Sequence, residues 1–164
     1  METFQAIKNR RSYRSFLEKP VAEEVLKKLI DAGRFAPSAN NLQPVEYIVI
    51  TDKHMLESIA LATDYGRFIM RAPVCIVVIA KNKKYYLEDG SAAVENILIA
   101  ATAEGLGACW VAGDKKDYAN DILKLLEVPH DYNLVALVPV GWPKQDRQTN
   151  EKKSISRVLH WEKF

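Results

Sequence analysis

Residues 91–104 read SAAVENILIAATAE, and this stretch constrains the fold more than any other. At helical spacing Ala92, Ala93, Val94, Ile97, Leu98, Ile99, Ala100 and Ala101 go all the way round the cylinder. A helix that is apolar on every side is buried, in a core or against a partner subunit. The chain has 164 residues, enough for one domain with a real core and too few for two comfortable ones. In so small a domain a second subunit is an attractive cover for part of this helix. Glu95 interrupts the run, and a bond across a subunit interface is the reading offered for it. Gly105 follows as a C-terminal cap.

The rest of the chain alternates between helical and extended patterns. Residues 3–9 form a short helix with Phe4 and Ile7 on one face. Residues 22–35 give the clearest amphipathic helix, with Val25, Leu26, Leu29, Ile30 and Gly33 at three- and four-residue steps. Pro37 ends it. Segments 47–51 (YIVIT), 74–80 (VCIVVIA) and 134–140 (LVALVPV) read as strands, and 108–111 as a short one. The second is a continuous β-branched run, as expected of a strand covered on both faces. Residues 54–63 and 118–126 read as helices, and 144–154 (KQDRQTNEKKS) as a loop. The alternation predicts a mixed or partly parallel sheet covered by helices.

Composition removes several classes. Apolar residues make up 48% and charged residues 27%, which argues against disorder. A net charge of +2 argues against a dedicated nucleic-acid binder. No apolar run approaches the ~18 residues of a membrane span. The opening METFQAIKNRR puts charges where a signal peptide needs an apolar stretch. Cys75 and Cys109 sit in apolar runs without metal-ligand spacing and read as buried, reduced thiols, which fits a cytoplasmic location. His54, His130 and His160 are scattered, so no metal is expected. The HExxH, GxSxG and GxxxxGK[ST] patterns do not occur.

Three groups could carry chemistry. In RRSYR, Arg10, Arg11, Ser12 and Arg14 gather three guanidinium groups and a hydroxyl. Guanidinium forks match phosphate or carboxylate oxygens, although a solvated basic helix end has the same composition. In APSANNLQP, Ser38, Asn40, Asn41 and Gln43 bring short polar arms onto a turn stiffened by Pro37 and Pro44. Such a loop suits the edge of a planar heterocycle, or it caps the preceding helix. In GLGACWVAGD, residues 105–114, the GxGxxG spacing is absent. Backbone N–H groups and Trp110 could line a flat ligand there, or Trp110 is core. Asp114 and Asp117 read as charges at the start of the next helix. Lys152 and Lys153 add a late positive pair.

Taken in order, these segments resemble the FMN-dependent nitroreductase family. The resemblance covers almost the whole chain, through IKNRRSYRSF, PVAEEVLKKLIDAGRFAPSANNLQPVEYIVI, GSAAVENILIAATAEGLGACWVAGD and VPVGWPK. It implies an α+β fold: a three-layer α/β/α sandwich with a mixed central sheet flanked by helices, in an intertwined homodimer. It implies FMN at the subunit interface, in one domain spanning 1–164. Arg10, Ser12 and Arg14 would then lie on the phosphate side, with Arg11 a main-chain neighbour, and Lys152 or Lys153 would reach the same phosphate. Pro37, Ser38, Asn40 and Gln43 would come from the other subunit to the ring side. Trp110, Val111, Ala112 and Gly113 would supply backbone contacts along the ring face.

The implied reaction is ping-pong: NAD(P)H reduces the flavin, and a nitroaromatic, quinone or related small acceptor takes the electrons back. The flavin does the chemistry, so no catalytic residue is named. Residues 62–73 are short where longer members of the family insert helices. Tyr65, Arg67 and Phe68 are the candidate substrate-pocket residues there. Two alternatives stand beside this reading. One is a flavoenzyme of the same fold that dehalogenates or dehydrogenates a small heterocycle. The other is a non-enzymatic module that binds FMN or another anion.

Overall fold

A computed structural model describes residues 1–145 and 151–164; residues 146–150, part of the expected 144–154 loop, lie outside the described set. Helix α1 spans Thr3–Asn9, α2 Glu23–Arg34, α3 Lys53–Ala62, α4 Tyr86–Ala103 and α5 Ala119–Leu125. Strand β1 spans Val45–Ile50, β2 Val74–Lys81, β3 Gly107–Ala108, β4 Val111–Ala112 and β5 Tyr132–Gly141. A 3-10 segment, Arg67–Arg71, leads into β2.

The sheet runs β1-β2-β5-β3, and β4 pairs with β5 next to β3. All its ladders are antiparallel, from Val45 opposite Ala80 to Ala108 opposite Val140. Among the described residues, the expected mixed character comes down to one isolated parallel bridge, Ser12 to Ala108. The alternation of helices and strands suggested parallel pairing, and the apolar run of β2 suggested a strand covered on both faces. Here helices cover both faces of an antiparallel sheet instead. In β2, Val74, Ile76, Val78 and Ala80 pack with Leu29 of α2 and with Val94 and Ile97 of α4. Cys75, Val77 and Ile79 point the other way, against Ile59 of α3, Ile69 and Ile122 of α5. The period of two along the strand thus splits one apolar run between two cores.

Local chemistry sets the ends of the elements. Asp52 caps α3, its side chain accepting from the Met55 N–H at 2.9 Å. Glu23 and Glu24 favour the first turn of α2. Helix α4 ends in a left-handed Gly105 with φ 75°. The Leu106 N–H reaches Ala101 O at 2.8 Å, and the Gly105 N–H reaches Thr102 O at 3.1 Å, which satisfies the last carbonyls.

Helix α4 begins at Tyr86, five residues earlier than the apolar run. Its inner face, Ala93, Val94, Ile97, Leu98 and Ala101, is buried within the chain. Ala92, Glu95, Asn96, Ile99 and Ala103 on the other side are half-buried. Asn96 Nδ2 donates to Ala32 O at 3.0 Å, tying α4 to α2. Among the described residues, no helix is long and apolar enough to cross a membrane.

Candidate functional site

The basic segment leaves α1 and runs along the sheet edge. The Arg10 N–H closes α1 on Ala6 O at 2.9 Å. Ser12 bridges Ala108 of β3, and the Tyr13 N–H donates to Ala108 O at 2.9 Å. Phe16 then bridges Pro143 just past β5. This pairing brings RRSYR beside the 105–114 segment, so two of the three polar groups meet within one chain.

The guanidinium groups are held differently. Arg10 Nε lies 3.4 Å from Glu95 Oε1 on α4. Glu95, expected to bond across a subunit interface, therefore has a partner in its own chain. It can have one because α1 packs on α4 and delivers Arg10 there. Arg11 donates through an Nη to Lys8 O at 2.7 Å and to Arg10 O at 2.6 Å. Its Nε is buried with no hydrogen-bond partner. Arg14 is exposed, with its guanidinium 5.9 Å from the centre of the Phe68 ring.

Strand alternation sorts the 110–113 segment. Trp110, 37% exposed, and Ala112 face outward, while Val111 and Gly113 are buried. The Gly113 N–H is committed to Val135 O at 3.2 Å. The Ala112 carbonyl accepts from the Tyr118 hydroxyl. The outward surface is thus Trp110 and Ala112, with Val111 and Gly113 fastening it to the core. Just beyond, Tyr86 Oη donates to Asp114 Oδ1 at 2.5 Å, and that bond pushes the phenol up to about 12. Asp114 therefore braces α4 and does not start α5, which begins at Ala119.

The polar loop is tightly folded. Asn40, Asn41 and Gln43 all have positive φ, of 51°, 54° and 49°. Asparagine tolerates this left-handed region; glutamine is strained in it. Ser38 Oγ accepts from the Gln43 N–H at 2.9 Å, and Gln43 Nε2 donates to Asn41 Oδ1 at 3.2 Å. Two bonds hold it from outside: Asp89 Oδ1 of α4 accepts from the Ala39 N–H at 3.0 Å, and Pro44 O accepts from the Lys81 N–H at 3.0 Å. The loop is therefore fixed to the first turn of α4, whereas Arg10 is fixed to its middle. Six residues separate Asp89 from Glu95, about 9 Å along the axis.

Other expected site residues fall elsewhere. Phe68 belongs to the core, 8% exposed, because the 3-10 turn directs it and Ile69 inward; its contact with the site is the Arg14 stack. Tyr65 is 84% exposed and Arg67 is also exposed. Lys152 and Lys153 are exposed and make no hydrogen bond or ion pair among the described residues. Both cysteines are buried, and burial pushes the Cys75 thiol up to about 12. Sequence reasoning missed Asp89 and Tyr86. The available signal was a carboxylate just before a glycine, at the head of a largely apolar helix.

With this geometry in place, the chain belongs to the nitroreductase family, whose sequence pattern matches residues 7–64 and 60–142. A Methanothermobacter thermautotrophicus protein, provisionally named NADH dehydrogenase/NAD(P)H nitroreductase, is 34% identical over 170 residues, covering 100% of this chain and 88% of its own. An FMN-dependent nitroreductase from Clostridium difficile R20291 superposes with a TM-score of 0.91 at 28% identity, covering 98% of this chain and 99% of its own. A provisionally named nitroreductase from Desulfovibrio desulfuricans, solved in complex with FMN, gives a TM-score of 0.88 at 30% identity, covering 100% and 98%.

Proposed function

We propose that the protein is an FMN-dependent NAD(P)H oxidoreductase that reduces nitroaromatics, quinones or related small acceptors. The observation that carries this reading is the guanidinium shelf of residues 10–14, clamped against β3 beside the outward Trp110 and Ala112. The donor set fits FMN: an exposed Arg14 and a buried, unpartnered Arg11 Nε suit a phosphate with about two negative charges. When bound, FMN would supply the electron transfer between NAD(P)H and the acceptor. The chain's own part is to hold and surround it. Arg10, Ser12 and Arg14 bind the phosphate end, with Lys152 or Lys153 as a further cation. Trp110 and Ala112 flank the ring, and Pro37, Ser38, Asn40 and Gln43 meet its polar edge. Tyr65 and Arg67 stand at the acceptor side.

The whole chain is one domain in this reading, and it works as a homodimer. The half-buried outer face of α4 supports the dimer, as does exposed Phe4, 69% accessible, on the helix packed against it. Ile155, Trp161 and Phe164 are also exposed, by 73%, 78% and 106%, and offer apolar surface that a partner subunit could cover. A cytoplasmic setting fits NAD(P)H as the reductant.

The decisive experiment is an absorption spectrum of the purified protein before and after adding FMN and desalting. Two flavin bands at about one FMN per subunit, bleached by NADH or NADPH, support the reading. No retained flavin refutes it. Parallel double-reciprocal lines for NAD(P)H and acceptor are the expected mark of ping-pong traffic; intersecting lines contradict that order.

A further inference from the structure

We propose that Asp89 is a positioning residue for the flavin ring: from the first turn of α4 it sets the backbone of the loop carrying Ser38, Asn40 and Gln43. The inference rests on the reading above, in which that loop meets the ring.

The loop does not hold its shape by propensity alone. Three non-glycine residues within four positions are left-handed; the two asparagines tolerate this, but the strain at Gln43 persists only where surrounding structure enforces it. Its internal bonds, Gln43 N–H to Ser38 Oγ and Gln43 Nε2 to Asn41 Oδ1, close it on itself. They do not say where it sits on the protein. The Lys81 N–H bond to Pro44 O fixes the loop's end at β1, and the hydrogen bond from the Ala39 N–H to Asp89 fixes its middle, because Asp89 belongs to a helix packed on both α2 and the sheet.

Asp89 is unusual in its surroundings. It is 7% exposed, one of two buried polar or charged residues among those described. A carboxylate is rarely buried unless something holds it. Here the N-terminal turn of α4 favours its charge and the Ala39 N–H bonds one oxygen. It also lines a cavity of about 120 Å³ beneath the loop, with Pro37, Ser38, Gln43 and Tyr47. The Tyr47 hydroxyl is buried there without a hydrogen-bond partner, and burial pushes it up to about 12, so it stays a neutral donor. A buried acceptor and a buried donor thus line one small cavity together with three of the four ring-side residues.

The consequence is a division of labour that can be measured. The arginine shelf should act on the phosphate, and Asp89 on the ring. In the test, the parent, Asp89→Asn, Asp89→Ala and Arg14→Ala are titrated with FMN and with riboflavin, which lacks the phosphate. Amide hydrogen exchange at Ala39 is followed in each flavin-loaded protein. Asp89→Ala should weaken FMN and riboflavin by the same factor, about ten-fold or more for the loss of a charged hydrogen-bond acceptor. It should also shift the visible flavin bands and speed exchange at Ala39. Asp89→Asn keeps an oxygen acceptor and should recover most of both effects. Arg14→Ala should weaken FMN and leave riboflavin and Ala39 alone.

Asp89→Leu fills a similar volume with no acceptor and stands in if the alanine variant fails to fold. Unchanged riboflavin affinity and unchanged Ala39 exchange in a folded Asp89→Ala or Asp89→Leu variant would overturn the proposal. So would a loss that Asp89→Asn does not recover. A parent protein that binds neither FMN nor riboflavin would instead overturn the cofactor reading itself.

Discussion

Gly90 tests how closely α4 is set into the sheet. A Cβ at this position would lie 2.7 and 2.8 Å from the two γ carbons of Val135. Val135 is 1% exposed, so its side chain has nowhere to swing, and a β-branched χ1 is stiff. On an open helix, Gly→Ala would gain about 1 kcal/mol. Overpacking a filled core costs about 1–3 kcal/mol, and two contacts this short against a rigid neighbour belong at the upper end. The clash therefore wins, and Gly90→Ala should lose about 2 kcal/mol net. For a chain of this length that lowers Tm by about 4–8 °C. The assay is thermal melting at fixed protein and FMN concentrations, because both shift Tm by mass action. Val135→Ala removes the two opposing carbons. The double variant should therefore be more stable than the sum of the singles, by about 1 kcal/mol or more. A Gly90→Ala variant as stable as the parent, or a strictly additive cycle, would refute the close-approach argument.

Other outcomes follow from the same geometry. Arg14→Ala should weaken FMN by about 1.5–3 kcal/mol, the value of a charge-assisted hydrogen bond, read by flavin fluorescence titration; unchanged affinity would remove Arg14 from the phosphate side. Ile97 is fully buried within the chain and Ile99 is half-buried on the outer face. Ile97→Glu should therefore unfold the subunit, while Ile99→Glu should leave it folded and split the dimer in light scattering; a dimeric Ile99→Glu protein would contradict the interface assignment. Tyr86 has its folded pKa raised to about 12 by its bond to Asp114, above the usual ~10. The folded state thus holds that proton more tightly. The stabilisation is complete below pH ~10 and is lost as pH climbs toward ~12. Phenolate absorbance should show several late-titrating groups, Tyr47, Tyr86 and Tyr132, with one fewer in Tyr86→Phe; an unchanged amplitude at high pH would count against the bond.

Much of the fold was legible because it rests on periodicity. The 3.6-residue pattern of residues 25–33 marks α2, and the β-branched run at 74–80 marks β2. Strand direction was not legible, since burial on both faces leaves the same run whether neighbours are parallel or antiparallel. The burial of Phe68 was not legible because a 3-10 turn has no strong pattern of its own. Trp110 to Gly113 was readable as a segment, but its alternation, which turns Val111 and Gly113 inward, depends on pairing with β5. Asp89 and the Arg10–Glu95 pair were hidden for a different reason. Both join residues 50 or more positions apart, and nothing local announces such a contact.

The left-handed trio Asn40, Asn41 and Gln43 also bears on time. A loop already bent before its ligand arrives does not have to search for a shape on encounter, and its ordering entropy is met when the chain folds. Capture is then limited by meeting and orientation, and differences among ligands emerge as differences in escape. Gln43→Gly would ease about 1 kcal/mol of backbone strain and make the loop looser. Under the proposed reading, the flavin would arrive no sooner and would leave earlier.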